Sequence, residues 1–266
     1  MSNLTQRLIV AAIGIPALIG IILLEQTPFG VTAFQLLIAG ALFLGTGELM
    51  RLAAGSRLAL HWGLTGCLGS FAVTNLLARE ALGAGWVLAV LAAAFVLRPR
   101  LGEGPGTGRF WGLCAAVLGG LLALWFELAG RGAPWVFLAL FATFASDTFA
   151  YTAGRLFGRH KLAPAISPGK TVEGAIGALV ATTLAVPLLC AALGLPLDWR
   201  AFALGPVLSV VAQAGDLAES YLKRVVGVKD SGALLPGHGG LLDRIDALVF
   251  AGPLVYYWSV WVSPLP

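Results

Sequence analysis

The fold class is decided by long apolar stretches, of which residues 110–128 are representative: FWGLCAAVLGGLLALWFEL. The single charged residue of this stretch, Glu127, lies next to its end. An α-helix needs about 20 mostly apolar residues to cross the roughly 30 Å hydrocarbon core of a bilayer. We therefore predict that residues 110–128 form a membrane-spanning helix.

Similar apolar stretches recur along the 266 residues and predict nine membrane-spanning helices. The predicted spans cover residues 6–24, 30–50, 59–78, 82–97, 110–128, 134–154, 172–194, 201–219 and 245–263. The composition agrees, because 58% of the residues are hydrophobic and only 11% are charged, whereas a soluble domain carries about 25% charged residues. The same numbers exclude an intrinsically disordered chain. The sequence therefore predicts an all-α fold, a polytopic membrane helical bundle.

The basic residues are distributed unequally between the two faces that nine spans would create. The face that carries the amino terminus holds all of the 17 Lys and Arg residues except Arg79, Arg131 and Arg200. Cytoplasmic loops of membrane proteins carry an excess of Lys and Arg. We therefore expect the amino terminus, and the loops after the second, fourth, sixth and eighth helices, to face the cytosol.

Polar residues are sparse in the first half of the chain and clustered in the second. Glu48, three residues before Arg51, is interpreted as an interfacial ion pair or a side chain that reaches the membrane surface. Three polar clusters follow at residues 146–161, 166–174 and 213–246. Their acidic members are Asp147, Glu173, Asp216, Glu219, Asp243 and Asp246. Since each ionisable group costs about 2.5–3.5 kcal/mol at the centre of a membrane helix, we predict a functional polar cavity that faces the cytosol.

Spacing within the third cluster indicates a nucleotide or pyrophosphate site. Positions i, i+3, i+4 and i+7 of one helix face are occupied by Asp216, Glu219, Ser220 and Lys223. Asp243 and Asp246 share a face of the next helix, and carboxylates from two helices suit a hard cation such as Mg²⁺. The intervening loop, rich in glycine and basic residues, suits a polyphosphate. His238, which lies between glycines in that loop, is expected to contact a phosphate or hold the loop, with a role as base or metal ligand as the alternative.

The polar clusters also contain extended motifs. The longest comprises S-x-L-K-R at residues 220–224, K-D-x-G at 229–232 and L-P-x-H-G-G-L-x-D-R-I-D at 235–246. Upstream lie S-D-T-x-A-Y-x-x-G-R at residues 146–155 and I-S-P-x-K-T-x-E-G at 166–174. Together these motifs resemble the signature of the phosphatidate cytidylyltransferases, also called CDP-diacylglycerol synthases. The resemblance extends over the second half of the chain.

The resemblance implies a reaction of phospholipid biosynthesis, in which CTP and phosphatidate give CDP-diacylglycerol and pyrophosphate. It also implies a Mg²⁺-dependent integral membrane enzyme that forms a homodimer, with the metal-binding aspartates at Asp216 and Asp243 and a monovalent cation such as K⁺ as a second ion. We expect a bacterial inner (plasma) membrane location, a cytosolic active site and no nucleic-acid partner. Gly169 departs from the family pattern, since many members carry a second lysine at that position.

The resulting hypothesis assigns roles to individual residues. Asp216 and Asp243 hold Mg²⁺ against the CTP phosphates. Asp246 either supports these metal ligands without binding Mg²⁺ itself or binds the second cation. The cations expected to clamp phosphates are Lys170, Lys223, Arg224, Lys229 and Arg244. Ser220 is expected to bind a phosphate or a metal. The remaining substrate-binding candidates are Asp147, Ser167, His238, Gly239 and Gly240.

Two other functions fit parts of the pattern. A CTP-dependent polyprenol or dolichol kinase would share the nucleotide site but transfer the γ-phosphate. An ion-coupled transporter also buries carboxylates, but it would distribute them across the membrane midplane, whereas this chain concentrates them on one face. By role, the chain divides into residues 1–100, expected to serve packing, dimerisation or lipid contact, and residues 101–266, expected to be catalytic.

Overall fold

The computed structural model describes residues 3–24, 31–53, 57–78, 82–99, 108–232, 234 and 239–263, without the side chains of residues 3–11 and 57–62. Over these ranges the chain forms nine α-helices: α1 (Asn3–Leu23), α2 (Ala33–Leu52), α3 (Arg57–Leu77), α4 (Leu82–Val96), α5 (Gly108–Gly130), α6 (Ala133–Phe157), α7 (Val172–Leu193), α8 (Trp199–Val225) and α9 (Leu242–Val262). Each predicted span coincides with one of these helices, so the prediction of a helical fold is confirmed.

Six helices, α2 and α5 to α9, are long and apolar enough to cross a membrane. The apolar segments described in α1, α3 and α4 are shorter: Ala12–Leu23, Gly63–Leu77 and Leu82–Val96. Large apolar side chains are also exposed on the helix surfaces, including Phe43 and Leu188, each at 70%. These features suit contact with lipid and indicate an integral membrane protein. A count of nine crossings stays a prediction.

One element of the fold was not predicted: a two-stranded antiparallel hairpin between α6 and α7. Strand β1 (Lys161–Ala163) pairs with strand β2 (Ser167–Thr171), with Ala163 opposite Ser167. The Ile166 N–H donates to the Ala163 carbonyl at 3.1 Å and closes the turn. The sequence indicates only a polar loop here, because strands this short show no clear alternation of apolar and polar residues. Two of the predicted site residues lie on β2.

The chain forms two compact units, which are described separately. The first comprises residues 1–133 and 225–245, and the second comprises residues 134–224 and 246–266. In the first unit, α5 packs against α2, α3 and α4. The α5 side chains of Trp111, Leu124 and Leu128 are almost fully buried, so α5 forms the core of this unit. The predicted division into residues 1–100 and 101–266 concerns function and not packing, so these two units do not test it and it stays a prediction.

Small residues allow α3 and α5 to pack closely in the first unit. A Cβ atom at Gly119 of α5 would collide with the backbone carbonyl of Cys67, and one at Gly66 of α3 would lie 3.0 Å from the carbonyl oxygen of Gly112. Helices in lipid associate largely through such close packing, since no water is released between them. Glycine is therefore required at residue 119 for this helix contact, and it avoids a tight contact at residue 66.

Glycines also lie at helix contacts of the second unit. A Cβ atom at Gly174 of α7 would lie 2.6 Å from the carbonyl oxygen of Ala150 in α6. A Cβ atom at Gly215 of α8 would lie 2.9 Å from the carbonyl oxygen of Asp246 in α9. Because Gly215 directly precedes Asp216, this contact brings two of the predicted carboxylates to neighbouring positions on α8 and α9.

Candidate active site

The second unit contains an ion pair between two predicted site residues. Lys170 Nζ lies 2.7 Å from Oδ2 of Asp216 and also donates to the Gln213 carbonyl oxygen at 3.5 Å. The Lys170 and Asp216 side chains remain 22% and 31% exposed. Separating a partly exposed ion pair costs less than removing one partner of a buried pair, because water can solvate the groups that are released. An anionic ligand can therefore compete with Asp216 for the lysine.

Helix α8 carries the predicted polar face. Ser220 Oγ donates to Oδ1 of Asp216 at 3.3 Å, and Lys223 forms an ion pair with Glu219 at 2.5 Å. Both contacts join residues four positions apart, so the predicted alignment of these side chains on one face is confirmed. The Glu219–Lys223 pair is less exposed than the Lys170–Asp216 pair.

Two further carboxylates act electrostatically on Asp216. Asp147 of α6 and Asp246 of α9 both interact with the Asp216 charge, and Asp246 also interacts with Lys223. The second unit therefore gathers acidic side chains from three helices around two lysines. We refer to Asp147, Lys170, Asp216, Lys223 and Asp246 as the carboxylate–lysine cluster.

The hairpin that carries Lys170 is anchored where it joins α7. Thr171 caps α7 by accepting a backbone hydrogen bond with its Oγ atom. The Glu173 carboxylate accepts the backbone N–H of His160 at 3.2 Å and contacts the His160 ring nitrogen at 2.7 Å. These bonds join the residue before β1 to the first turn of α7. They hold β2, and therefore Lys170, in a defined position.

The first unit contains Asp243, in the first turn of α9. Oδ2 of Asp243 accepts the backbone N–H of Ser231 at 2.9 Å and that of Gly240 at 2.8 Å. Gly239 has a φ of +83°, and a Cβ atom there would lie 2.7 Å from the same Oδ2 atom. Glycine is therefore required at this position both for the backbone conformation and for the space beside the carboxylate.

The interpretation of Glu48 as an interfacial residue was wrong, because the side chain is only 3% exposed. Oε1 of Glu48 accepts the Leu241 N–H at 2.8 Å, and Oε2 accepts the Leu242 N–H at 2.9 Å and the Ser231 hydroxyl at 3.2 Å. The two backbone donors lie at the start of α9, where unpaired N–H groups favour a negative charge. Sequence reasoning missed this role because the nearest of these partners is 183 positions away.

The other predicted residues are distributed over both units. Arg224, in the second unit, donates its Nε–H to the Ile166 carbonyl at 3.1 Å, next to Ser167. Lys229 and Arg244, in the first unit, are exposed. Lys229 and Arg244 are therefore accessible to solvent, whereas Arg224 is partly buried. His238 lies outside the described residues, whereas Gly239 and Gly240 are described above.

The carboxylate oxygens of Asp216 and Asp243 are of the ligand type that Mg²⁺ prefers. Mg²⁺ takes oxygen ligands and is usually held by one or two carboxylates together with substrate phosphates and water. Over the described part of the chain, no group of three or more acidic, histidine or cysteine side chains is arranged to hold a metal ion. A Mg²⁺ ion bound here would therefore take most of its ligands from substrate and water.

Comparison with known proteins places the chain among the cytidylyltransferases. The model of the cytidylyltransferase family matches residues 5–261. A relative from Brucella abortus, named phosphatidate cytidylyltransferase, is 38% identical over 276 residues, which cover 99% of this chain and 96% of the relative. A protein of the same name from Staphylococcus saprophyticus is 45% identical over 135 residues, covering 49% of this chain and 50% of that protein. These matches confirm the resemblance seen in the motifs, and the chain belongs to the cytidylyltransferase family.

Proposed function

We propose that the chain is a phosphatidate cytidylyltransferase, which converts CTP and phosphatidate into CDP-diacylglycerol and pyrophosphate. The structural observation that carries this proposal is the partly exposed Lys170–Asp216 pair within the carboxylate–lysine cluster. Such a cluster suits a substrate that is polyanionic and carries a hard cation. The names of relatives that align over nearly the whole chain support the same reaction.

In the proposed step, a phosphate oxygen of phosphatidate attacks the α-phosphorus of CTP. The bond between that phosphorus and the oxygen that bridges to the β-phosphate breaks, and pyrophosphate leaves with the electron pair. The nucleophile is already an anion, so the step needs no strong general base. The task of the protein is to hold two anions in line and to neutralise the charge that develops on the leaving group.

Lys170 is the cation best suited to the leaving pyrophosphate. Its ammonium group is already held in the cluster by Asp216, and it can exchange that carboxylate for a phosphate oxygen. Lys223 and Arg224 lie on the same helix as Asp216 and supply further positive charge. The remaining residues assigned to substrate binding are Lys229, Arg244, Asp147, Ser167, Ser220, His238, Gly239 and Gly240.

We assign Mg²⁺ to Asp216 and Asp243, with Asp246 as the candidate ligand of a monovalent cation. When bound, Mg²⁺ would neutralise negative charge on the CTP phosphates. Two observations support the assignment: departure of Lys170 would release Oδ2 of Asp216, and the two N–H bonds to Asp243 orient that carboxylate.

The membrane arrangement follows from the charge distribution. We propose nine crossings, with the amino terminus and a polar cavity on the cytosolic side, where CTP is present. On this proposal the protein is a homodimer in the bacterial inner membrane. The acyl chains of phosphatidate would then reach the site sideways from the bilayer, between helices.

Turnover by the purified protein tests the proposal. The assay contains detergent–lipid micelles, Mg²⁺, phosphatidate and CTP labelled at the α-phosphate. Label that enters the lipid phase only with phosphatidate, and that is lost with EDTA, is the expected result. Lipid labelled from γ-labelled CTP would instead indicate a lipid kinase. A folded protein that binds CTP but transfers neither label would refute the proposed reaction.

A further inference from the structure

Glu48 is a buried carboxylate that accepts hydrogen bonds from donors far away in sequence. A buried carboxylate is unfavourable unless hydrogen bonds compensate for its lost hydration. Glu48 of α2 accepts from the Leu241 and Leu242 N–H groups and from the Ser231 hydroxyl, at 2.8 to 3.2 Å. The carboxylate therefore serves as a cap for the amino terminus of α9, although it comes from another helix.

The space around this carboxylate is shaped by two glycines. A Cβ atom at Gly240 would lie 2.6 Å from Oε2 of Glu48 and would collide with the Ser231 hydroxyl. A Cβ atom at Gly232 would lie 2.9 Å from Oε1 of Glu48. The backbone at Gly240 thus approaches the carboxylate and residues 231–232 too closely for a side chain, and the backbone at Gly232 lies against the carboxylate as well.

Glu48 and Asp243 bind the same two backbone segments. Ser231 donates its hydroxyl to Glu48 and its backbone N–H to Asp243. On the other segment, Gly240 donates to Asp243, and the next residue, Leu241, donates to Glu48. The orientation of the Asp243 carboxylate therefore depends on backbone groups that Glu48 holds in position.

We propose that Glu48 is a positioning residue for Asp243. It fixes the first turn of α9 and residues 231–232, and through them the direction in which Asp243 presents its carboxylate. This inference rests on the proposed role of Asp243 as a Mg²⁺ ligand. It assigns a part in the reaction to the first hundred residues, which were expected to serve packing, dimerisation or lipid contact.

The test is Glu48→Gln, which preserves size but replaces one acceptor oxygen with an NH₂ group that faces N–H donors. Amide hydrogen exchange of the segment 239–245, measured by mass spectrometry without Mg²⁺ or nucleotide, should become roughly tenfold faster or more. The Mg²⁺ concentration for half-maximal cytidylyl transfer should rise about 10–100-fold, the usual effect of losing a residue that orients a metal ligand. The rate at saturating Mg²⁺ should change less.

Asp198→Asn is the matched control. Asp198 also places a carboxylate at a helix amino terminus, accepting the Arg200 N–H at 2.8 Å at the start of α8. Asparagine caps helices about as well as aspartate, so both readouts should stay at the wild-type value. Ser231→Ala provides a milder variant in case Glu48→Gln does not fold, since it removes only the hydroxyl bond to Glu48. It should shift both readouts in the same direction by a smaller factor.

Unchanged exchange of residues 239–245 in the variants would overturn the proposal. So would faster exchange with an unchanged Mg²⁺ requirement, because Glu48 would then act on stability alone. Failure of the proposed function is distinguishable, since it would appear as absent cytidylyl transfer in the wild-type protein before any variant is compared.

Discussion

Replacing Lys170 with methionine separates a structural role of this lysine from a role in phosphate binding. The lysine and Asp216 are 22% and 31% exposed, so solvent screens the pair, and we place its contribution at the upper end of the range for surface ion pairs, about 1 kcal/mol. Loss of the pair alone would therefore change activity by about fivefold or less. Loss of a cation that stabilises the leaving pyrophosphate should reduce the rate further, because removing one contact that stabilises developing charge lowers the rate about 10²–10³-fold. We expect Lys170→Met to fall in the second range.

The assay is transfer of the α-label from CTP to lipid at CTP concentrations below KM, so that the rate reports kcat/KM. Lys161→Met is the matched control, because Lys161 lies on β1 of the same hairpin, is exposed, and donates to the Pro168 carbonyl at 2.8 Å. We expect the control to stay near the wild-type rate. If Lys170→Met retains one fifth or more of the wild-type kcat/KM, the lysine serves only to pair Asp216 and the reasoning is refuted.

Three other outcomes are expected. Asp243→Asn should reduce turnover at least about 10³-fold through loss of the ligand charge, with normal expression; activity near the wild-type rate would remove its assigned role. Gly215→Ala should lower the free energy of unfolding by about 1–3 kcal/mol, since the new Cβ would lie 2.5 Å from the Phe250 ring. The control Gly69→Ala adds a Cβ with nothing within 4 Å and should leave stability unchanged. Thermal unfolding of both variants in detergent is the measurement, and equal unfolding temperatures would contradict the prediction. EDTA should abolish transfer and excess Mg²⁺ should restore it; transfer that persists in EDTA would exclude a Mg²⁺ requirement.

The helices could be predicted well because the signal for each of them is local. An apolar stretch such as residues 110–128 needs no partner to be recognised, and the structure extends it only to Gly108–Gly130. The hairpin could not be found in this way. Its strands have three and five residues, and the hairpin is defined by pairing and by the anchoring of Glu173 to His160, neither of which has a periodic signature.

The candidate site was predicted unevenly for a related reason. Spacing along one helix correctly aligned Asp216 with Ser220 and Glu219 with Lys223, since a helix fixes which residues are neighbours. Contacts between distant segments have no such rule. The sequence therefore indicates an interfacial residue at Glu48, whereas in the structure its two backbone donors lie at the start of α9.

The internal partners of the carboxylates change how their membrane cost should be interpreted. Six acidic groups in the polar clusters indicated function because charged groups are costly in a membrane. In the structure, however, Glu219 is paired with Lys223, and Glu48, a carboxylate outside those clusters, accepts hydrogen bonds from three donors. The cost of placing a carboxylate in the membrane therefore does not by itself identify a residue that contacts substrate. Exposure is more informative: Glu48 is 3% exposed and binds backbone donors, whereas the Asp216 and Lys170 side chains are 31% and 22% exposed, and we expect this pair to exchange partners with a substrate.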